Sequence, residues 1–216
     1  MYLIHPSSIG KIMTEPKTKA DKEAGELSVT AKTYLKSIAK KISYDYETEL
    51  DIKSFAKGKA CEDAGIELIN SVYFKNYKKH TGRIETDLMS GECDVLVPGV
   101  LVRDVKNAWS LDTFPVLVED AHTTDYEWQL RAYMHLYDVN EAYLDWVLVD
   151  TPDELIKWEP VHLHKVSHID PCLRITTVKY ERNMDLETKM LAACKKAQLY
   201  IEAVKKQILI DHNYNH

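Results

Sequence analysis

Glycine and proline are scarce in this chain, seven of each in 216 residues. That excludes a collagen-like repeat and argues against a turn-rich sandwich. Cysteine is sparser still: Cys61, Cys93, Cys172 and Cys194 stand far apart and never form a C-x-x-C pair. They read as four buried free thiols, not as a zinc ribbon or a dithiol centre. No apolar run approaches the roughly 18 residues of a membrane span. The opening Met1-Tyr2-Leu3-Ile4-His5-Pro6 has no basic segment leading into an apolar stretch, so a cytoplasmic protein is expected. An excess of positive charge is missing as well, with 28 Lys/Arg against 34 Asp/Glu for a net charge of −6, which argues against indiscriminate binding to nucleic acid. The average conceals an asymmetry: residues 1–83 carry net +4 and residues 84–216 net −10. The front half can therefore still present a phosphate-facing surface.

What is present is a globular balance, 45% hydrophobic and 29% charged, in a length that suits one domain over residues 1–216. Ser7 to Met13 reads as a short capped helix, and Glu15 to Gly25 as a polar loop. From the N-cap Ser28, the residues Ala31, Tyr34, Leu35, Ile38, Ala39 and Ile42 recur with helical period. Lys32, Lys36 and Lys40 line another face, which reads as solvated before it reads as a DNA contact. A second helix is expected from about Phe55 to Asn70 with Cys61, Ala64, Gly65 and Leu68 on one stripe. Glu62 shares a face with Ile66 and Ile69, and a carboxylate half-buried in this way needs a cation, a metal or a hydrogen-bond partner.

Strand patterns follow. Glu92 to Val97 and Val100 to Lys106 flank Pro98-Gly99 as a hairpin. A helix is expected from about Asp125 to Tyr137, strands over Ala142 to Val149, Ile156 to Val166 and Ile175 to Tyr180, and a long helix from about Asp185 to Ile210. This order gives an α/β or α+β core with a mixed sheet.

Charge placed inside apolar strands carries the chemistry. Asp104 and Lys106 are two apart on one strand and face the same side, while Arg103 and Val105 face the other. A two-residue loop at Pro98-Gly99 would set Asp94 opposite Arg103, on the wrong face; an odd-length loop or a bulge restores the parity and is expected here. Two carboxylates converging with a lysine suit a hard divalent cation that keeps several waters, and such a site can hydrolyse a phosphodiester. The triplet alone is a weak signal. It keeps company with Glu62 upstream and with Gln129 and Tyr133, an i, i+4 pair, downstream.

The ordered pattern of Gly58 to Glu62, Asp94, Asp104-Val105-Lys106 and Gln129 to Tyr133 resembles the PD-(D/E)XK nuclease superfamily, in particular its lambda-exonuclease and RecB-like branch with the YqaJ-type phage recombination exonucleases. The match spans about residues 55–150. Looser similarity reaches from Ser7-Ser8 to the strand Val178 to Asn183 and the closing helix. The resemblance implies a restriction-endonuclease-like α/β fold, a mixed central sheet flanked by helices with a long C-terminal helix. It also implies Mg²⁺, with Mn²⁺ able to substitute, on Asp94, Asp104 and the Val105 carbonyl, and Glu62 as a direct or water-mediated ligand. Lys106 would position or activate the water, and Gln129 and Tyr133 would orient the site. Cys93 stands where relatives have Pro, and Asp104 where many have Glu; both variations are tolerated. Some relatives hold an iron-sulphur cluster on a C-terminal cysteine trio that this chain lacks, so none is expected. The implied activity is a DNA exonuclease acting on double-stranded ends in a bacterial host cell, in phage-type recombination. Assembly into a ring and a single-strand annealing partner come with the same resemblance. An endonuclease, a resolvase, a single-strand nuclease or a non-catalytic DNA-end-binding module would share the site or the fold.

The basic half adds a candidate nucleic-acid surface. Lys75, Lys78, Lys79 and Arg83 in the aromatic-basic run Tyr73 to Arg83 are read as DNA contacts, with Arg131 beside the site. Trp109 suits base stacking and core packing equally. His162, His164 and His168 read as ordinary strand or loop histidines before metal ligands.

Overall fold

The computed structural model describes residues 1–47 and 53–212. The chain opens with a 3₁₀ turn at Pro6–Ser8 and α1 (Ile9–Ile12). The stretch expected as a polar loop contains a short helix, α2 (Lys19–Glu23), because the Thr18 side chain accepts the Asp21 N–H and caps it. In α3 (Val29–Tyr44) the Ser28 hydroxyl accepts the Ala31 N–H at 2.9 Å. Its buried stripe is Ala31, Leu35, Ile38 and Ala39, while Ile42 is exposed beyond the end of the packed face.

The helix expected over residues 55–70 is two. α4 (Lys53–Ala60) and α5 (Glu62–Tyr73) meet at Cys61, and Glu62 becomes the first residue of the second. The break turns Ala64 outward and buries Ile66 and Ile69 beside Leu68. Gly65 lets α5 lie directly on the sheet, since a Cβ there would sit 3.0 Å from a Val147 methyl and 3.1 Å from a Val105 methyl.

A two-stranded ribbon pairs β1 (Ile84–Glu85) with β2 (Ser90–Gly91). The main sheet has the order β3 (Val95–Val97), β4 (Leu101–Asn107), β5 (Glu141–Val147), β6 (Ile175–Glu181). β4 and β5 run parallel, the other pairs antiparallel. Between β4 and β5 come α6 (Val118–Ala121) and α7 (Thr124–Tyr137), the crossover that a parallel pair requires. Strand alternation divides the core. Val102, Ala142, Leu144, Val178 and Tyr180 pack with α1, α3, α7 and the closing α9 (Met184–Asp211). Val95, Val105 and Val147 pack on the other side with α5.

The strand expected over residues 156–166 is absent. In its place are α8 (Asp153–Ile156), Lys157 at φ +55 and a 3₁₀ turn at Val161–Leu163, with Pro160 denying the segment a continuous ladder. On the α5 face, Arg103 is buried in a bidentate ion pair with Asp145, at 2.7 and 3.1 Å, with the Tyr143 ring 4.5 Å from its guanidinium. Cys61, Cys93 and Cys194 are buried, but Cys172 is exposed, correcting the expectation of four buried thiols; it sits in the short 3₁₀ turn Pro171–Arg174 at the surface. No helix of the described residues is long and apolar enough to cross a membrane.

Candidate active site

The hairpin turn decides which carboxylates meet. Pro98 and Gly99 occupy the corners of a turn closed by Val100 N–H on Val97 O at 2.9 Å, with Gly99 at φ +70. That is the type II pattern, Pro then Gly. Val100 adds a third loop residue, so Val95 pairs with Arg103 and the register carries Asp94 to the position opposite Asp104. The odd-length loop is therefore present.

β3 pairs only with Leu101–Arg103, which leaves the edge of Asp104–Asn107 uncovered. There the Asp94 carboxylate accepts the Val105 N–H at 2.6 Å, taking the place of the missing strand. The Val105 carbonyl leaves the strand on that same edge. On the α7 face, Lys106 Nζ pairs with Asp104 Oδ2 at 2.7 Å and lies 5.1 Å from the centre of the Tyr126 ring. Gln129 Nε2 donates to Asp104 Oδ1 at 3.1 Å and lies 3.3 Å from the Tyr133 hydroxyl. Glu62, at the start of α5, pairs with Lys79 at 2.8 Å.

The electrostatics follow from this crowding. Burial and the neighbouring Asp104 push the Asp94 carboxyl above the ordinary carboxylate range, with Lys106 and the Val105 N–H pulling the other way. Burial opposes the charge on Lys106, but Asp104 and Asp94 outweigh it and hold the ammonium protonated. Among the described residues, no three His, Cys, Asp or Glu side chains form a ready-made metal cage. Asp104 Oδ2 is nevertheless buried with no hydrogen-bond donor of good geometry, its close contact being the Lys106 ion pair. Two carboxylates, one such oxygen, and a strand-edge carbonyl fit a hard cation that keeps much of its own water.

These groups form the floor of an open cavity of about 1060 Å³, lined by Asp94, Val105, Lys106 and Glu62, and walled by α4, Trp109, Tyr126 and Trp146. Tyr126, about one turn before Gln129 on α7, joins the site through its contact with Lys106. Among the expected nucleic-acid contacts, Lys75 and Lys78 are exposed, and the run they belong to borders the floor, since the His80 N–H donates to Asp94 O at 2.7 Å. Lys79 is engaged by Glu62. Arg83 is exposed, with Nη1 3.3 Å from Ser90 Oγ. Arg131 is not at the cavity; Glu127, one turn earlier on α7, takes it at 2.6 and 3.0 Å. Of the three histidines only His164 is buried, and its ring meets Thr151 and Glu159.

No family model matches the chain, and no curated protein does. Solved structures do. The alkaline exonuclease LHK-Exo from Laribacter hongkongensis superposes with a TM-score of 0.70 at 11% identity, covering 98% of this chain and 94% of that one, a likeness of fold. A second structure of LHK-Exo, in complex with dAMP, gives 0.63 at 13% identity over 95% of this chain and 93% of that one. A phage-related exonuclease from Haemophilus somnus 129PT superposes with a TM-score of 0.85 at 32% identity, covering 95% of this chain and 96% of that one. With that identity over nearly the full length of both molecules, this chain belongs to the phage-related exonuclease family, the YqaJ-like and lambda-exonuclease-like nucleases that its motif resembles.

Proposed function

We propose that this protein is a metal-dependent DNA exonuclease that hydrolyses phosphodiester bonds from double-stranded ends, in phage-type recombination or DNA processing. The observation that carries the reading is the convergence of Asp94, Asp104 and Lys106 on the uncovered end of β4, where Asp94 and Lys106 line an open cavity and Asp104 lies buried beside them. Membership of an exonuclease family supports it.

Asp94, Asp104 and the Val105 carbonyl would hold Mg²⁺ or Mn²⁺, with Glu62 reaching it directly or through water. The ion would supply Lewis-acid polarisation of a phosphoryl oxygen and a water of lowered pKa. The chain's own groups do the rest. Gln129 fixes the rotamer of Asp104 through Oδ1, leaving Oδ2 to Lys106. Tyr133, buried behind it, keeps its phenol protonated because burial and Asp104 both oppose ionisation. Lys106 keeps its proton and points a compact positive charge at the place where negative charge develops on the phosphate. Lys75 and Lys78 beside the floor would hold the duplex backbone, sequence-independently.

Matched linear and covalently closed duplexes incubated with Mg²⁺, Mn²⁺ or EDTA test this directly. Only the linear DNA should disappear, only with metal, and Lys106→Ala or Asp104→Ala should abolish the loss. Cutting of closed circles would replace the reading with an endonuclease. Intact DNA binding without cutting under either metal would replace it with an end-binding module.

A further inference from the structure

Trp109 lies three residues beyond Lys106, so the two α-carbons are at most about 10 Å apart. Its indole lines the cavity wall and is partly exposed. A tryptophan that merely fills the core behaves differently: Trp128 is only 8% exposed. Trp109 is instead held at both ends. Its carbonyl accepts from the fully buried Lys57 ammonium at 3.1 Å and from the Thr151 hydroxyl at 3.2 Å. Its indole N–H donates to Glu159 Oε2 at 2.7 Å, a charge-assisted bond.

Glu159 is the hub of that wall. Its other oxygen, Oε1, takes Lys53 Nζ at 2.7 Å, and Lys53 in turn lies 5.6 Å from the centre of the Trp109 ring. Behind it His164, wholly buried, reaches Oε2 at 3.2 Å, sets its ring edge-on to the indole at 5.2 Å between centres, and is anchored by Thr151 at 3.1 Å. One carboxylate thus holds an aromatic ring, and a cation over it, together on a half-open wall. A nucleotide of a single strand offers the complement, a base to stack and a phosphate to pair.

We propose that Trp109 is the stacking platform for one base of the single DNA strand at the site, one or two nucleotides from the scissile phosphate. Glu159, backed by His164, is the positioning residue that holds the indole and Lys53 in place. The proposal rests on the nuclease reading above, and it names how that site grips a strand once the duplex end is unstacked. Stacking on the indole offsets the stacking that the base gives up in leaving the duplex.

The test needs no cleavage. Short single-stranded oligonucleotides, each with one abasic position moved along the strand, are bound to the full-length protein in EDTA and titrated by fluorescence anisotropy. One abasic position should weaken binding to the wild type about tenfold, within the range of a single base-aromatic stack. That penalty should vanish in Trp109→Ala and survive in Trp109→Phe. It should shrink in Glu159→Ala and return in Glu159→Gln, which still accepts the indole N–H, a rescue that a purely structural role would not show. A penalty equal in wild type and Trp109→Ala at every position, or none in the wild type, overturns the proposal. If Trp109→Ala does not fold, Trp109→Phe decides instead: it overturns the proposal by losing the penalty. Cleavage of linear DNA with Mg²⁺, measured in parallel, separates the two failures. Cleavage with a flat abasic profile sinks the platform alone, whereas a sharp profile without cleavage sinks the nuclease reading and leaves the platform standing.

Discussion

Asp104 is buried, and its two oxygens are treated differently: Oδ1 is held by Gln129, while Oδ2 pairs with Lys106. Gln129→Ala removes the only neutral donor among these contacts and leaves a buried oxygen uncompensated, costing about 1–3 kcal/mol of stability. With Asp104 as a ligand of the proposed metal, activity should fall roughly 10- to 100-fold, the usual loss for a group that orients such a ligand. Affinity for DNA in EDTA should stay within about twofold, and a proportional loss of binding would move Gln129 to the DNA surface instead. At this scale the sequence was readable where spacing fixes direction: the two-residue step from Asp104 to Lys106 and the four-residue step from Gln129 to Tyr133 each set a shared face. Glu159 gave no such signal. It reaches Trp109 across 50 residues, through a segment whose backbone follows no regular period. Arg131 misled for a related reason, since a charge beside a motif says nothing of the Glu127 that occupies it.

The hairpin from β3 to β4 is the element that makes the site, through the parity of its loop. Inserting one residue after Gly99, with the loop still three residues long, would pair Val97 with Val100 and set Asp94 opposite Arg103, on the wrong face of β4. Nuclease activity should vanish. The fold should survive, since β3 contributes three paired residues to a sheet whose centre is β4 and β5. Circular dichroism and a thermal melt alongside the cleavage assay check this, and retained activity would show that Asp94 is dispensable. Helices α3, α7 and α9 were legible because each buries one stripe over several turns. Residues 156–166 were not, because their alternating apolar and polar residues imitate a strand while Lys157 at φ +55 and Pro160 prevent one. The break at Cys61 was equally hidden, since helical period continues across it on both sides.

For the whole molecule, alkaline stability follows from groups that burial keeps neutral. Burial pushes the thiols of Cys93 and Cys194 up to about 12, and the phenols of Tyr2, Tyr137 and Tyr180 to about 12. The folded state then binds more protons than the unfolded chain above the ordinary thiol value near 9, so their contribution, complete below that pH, is lost as pH rises toward 12. Lys57 acts in the opposite sense: burial pulls it down to about 8, and stability is gained from it between pH 8 and its ordinary value of 10.5. One lysine cannot offset two thiols and three phenols. The melting temperature should crest near pH 9 and fall steeply above 10, and a crest below pH 8 would contradict this balance. The chain's two ends meet in one further contact. Gln198 on α9 donates to Tyr2 O at 2.9 Å and to Asp87 O at 3.0 Å, and the same helix lies along α3 over Leu35 and Ile38. During synthesis at roughly 5–20 residues per second, some 10 to 40 s separate those partners at the ribosome. Every residue proposed for catalysis has emerged by then, yet the apolar faces of α1 and α3 still wait for their cover. A chain ended at Asn183 should keep all of those residues and show no cleavage, aggregating through the uncovered faces. In a nascent chain, cleavage should therefore wait until α9 has packed over α3.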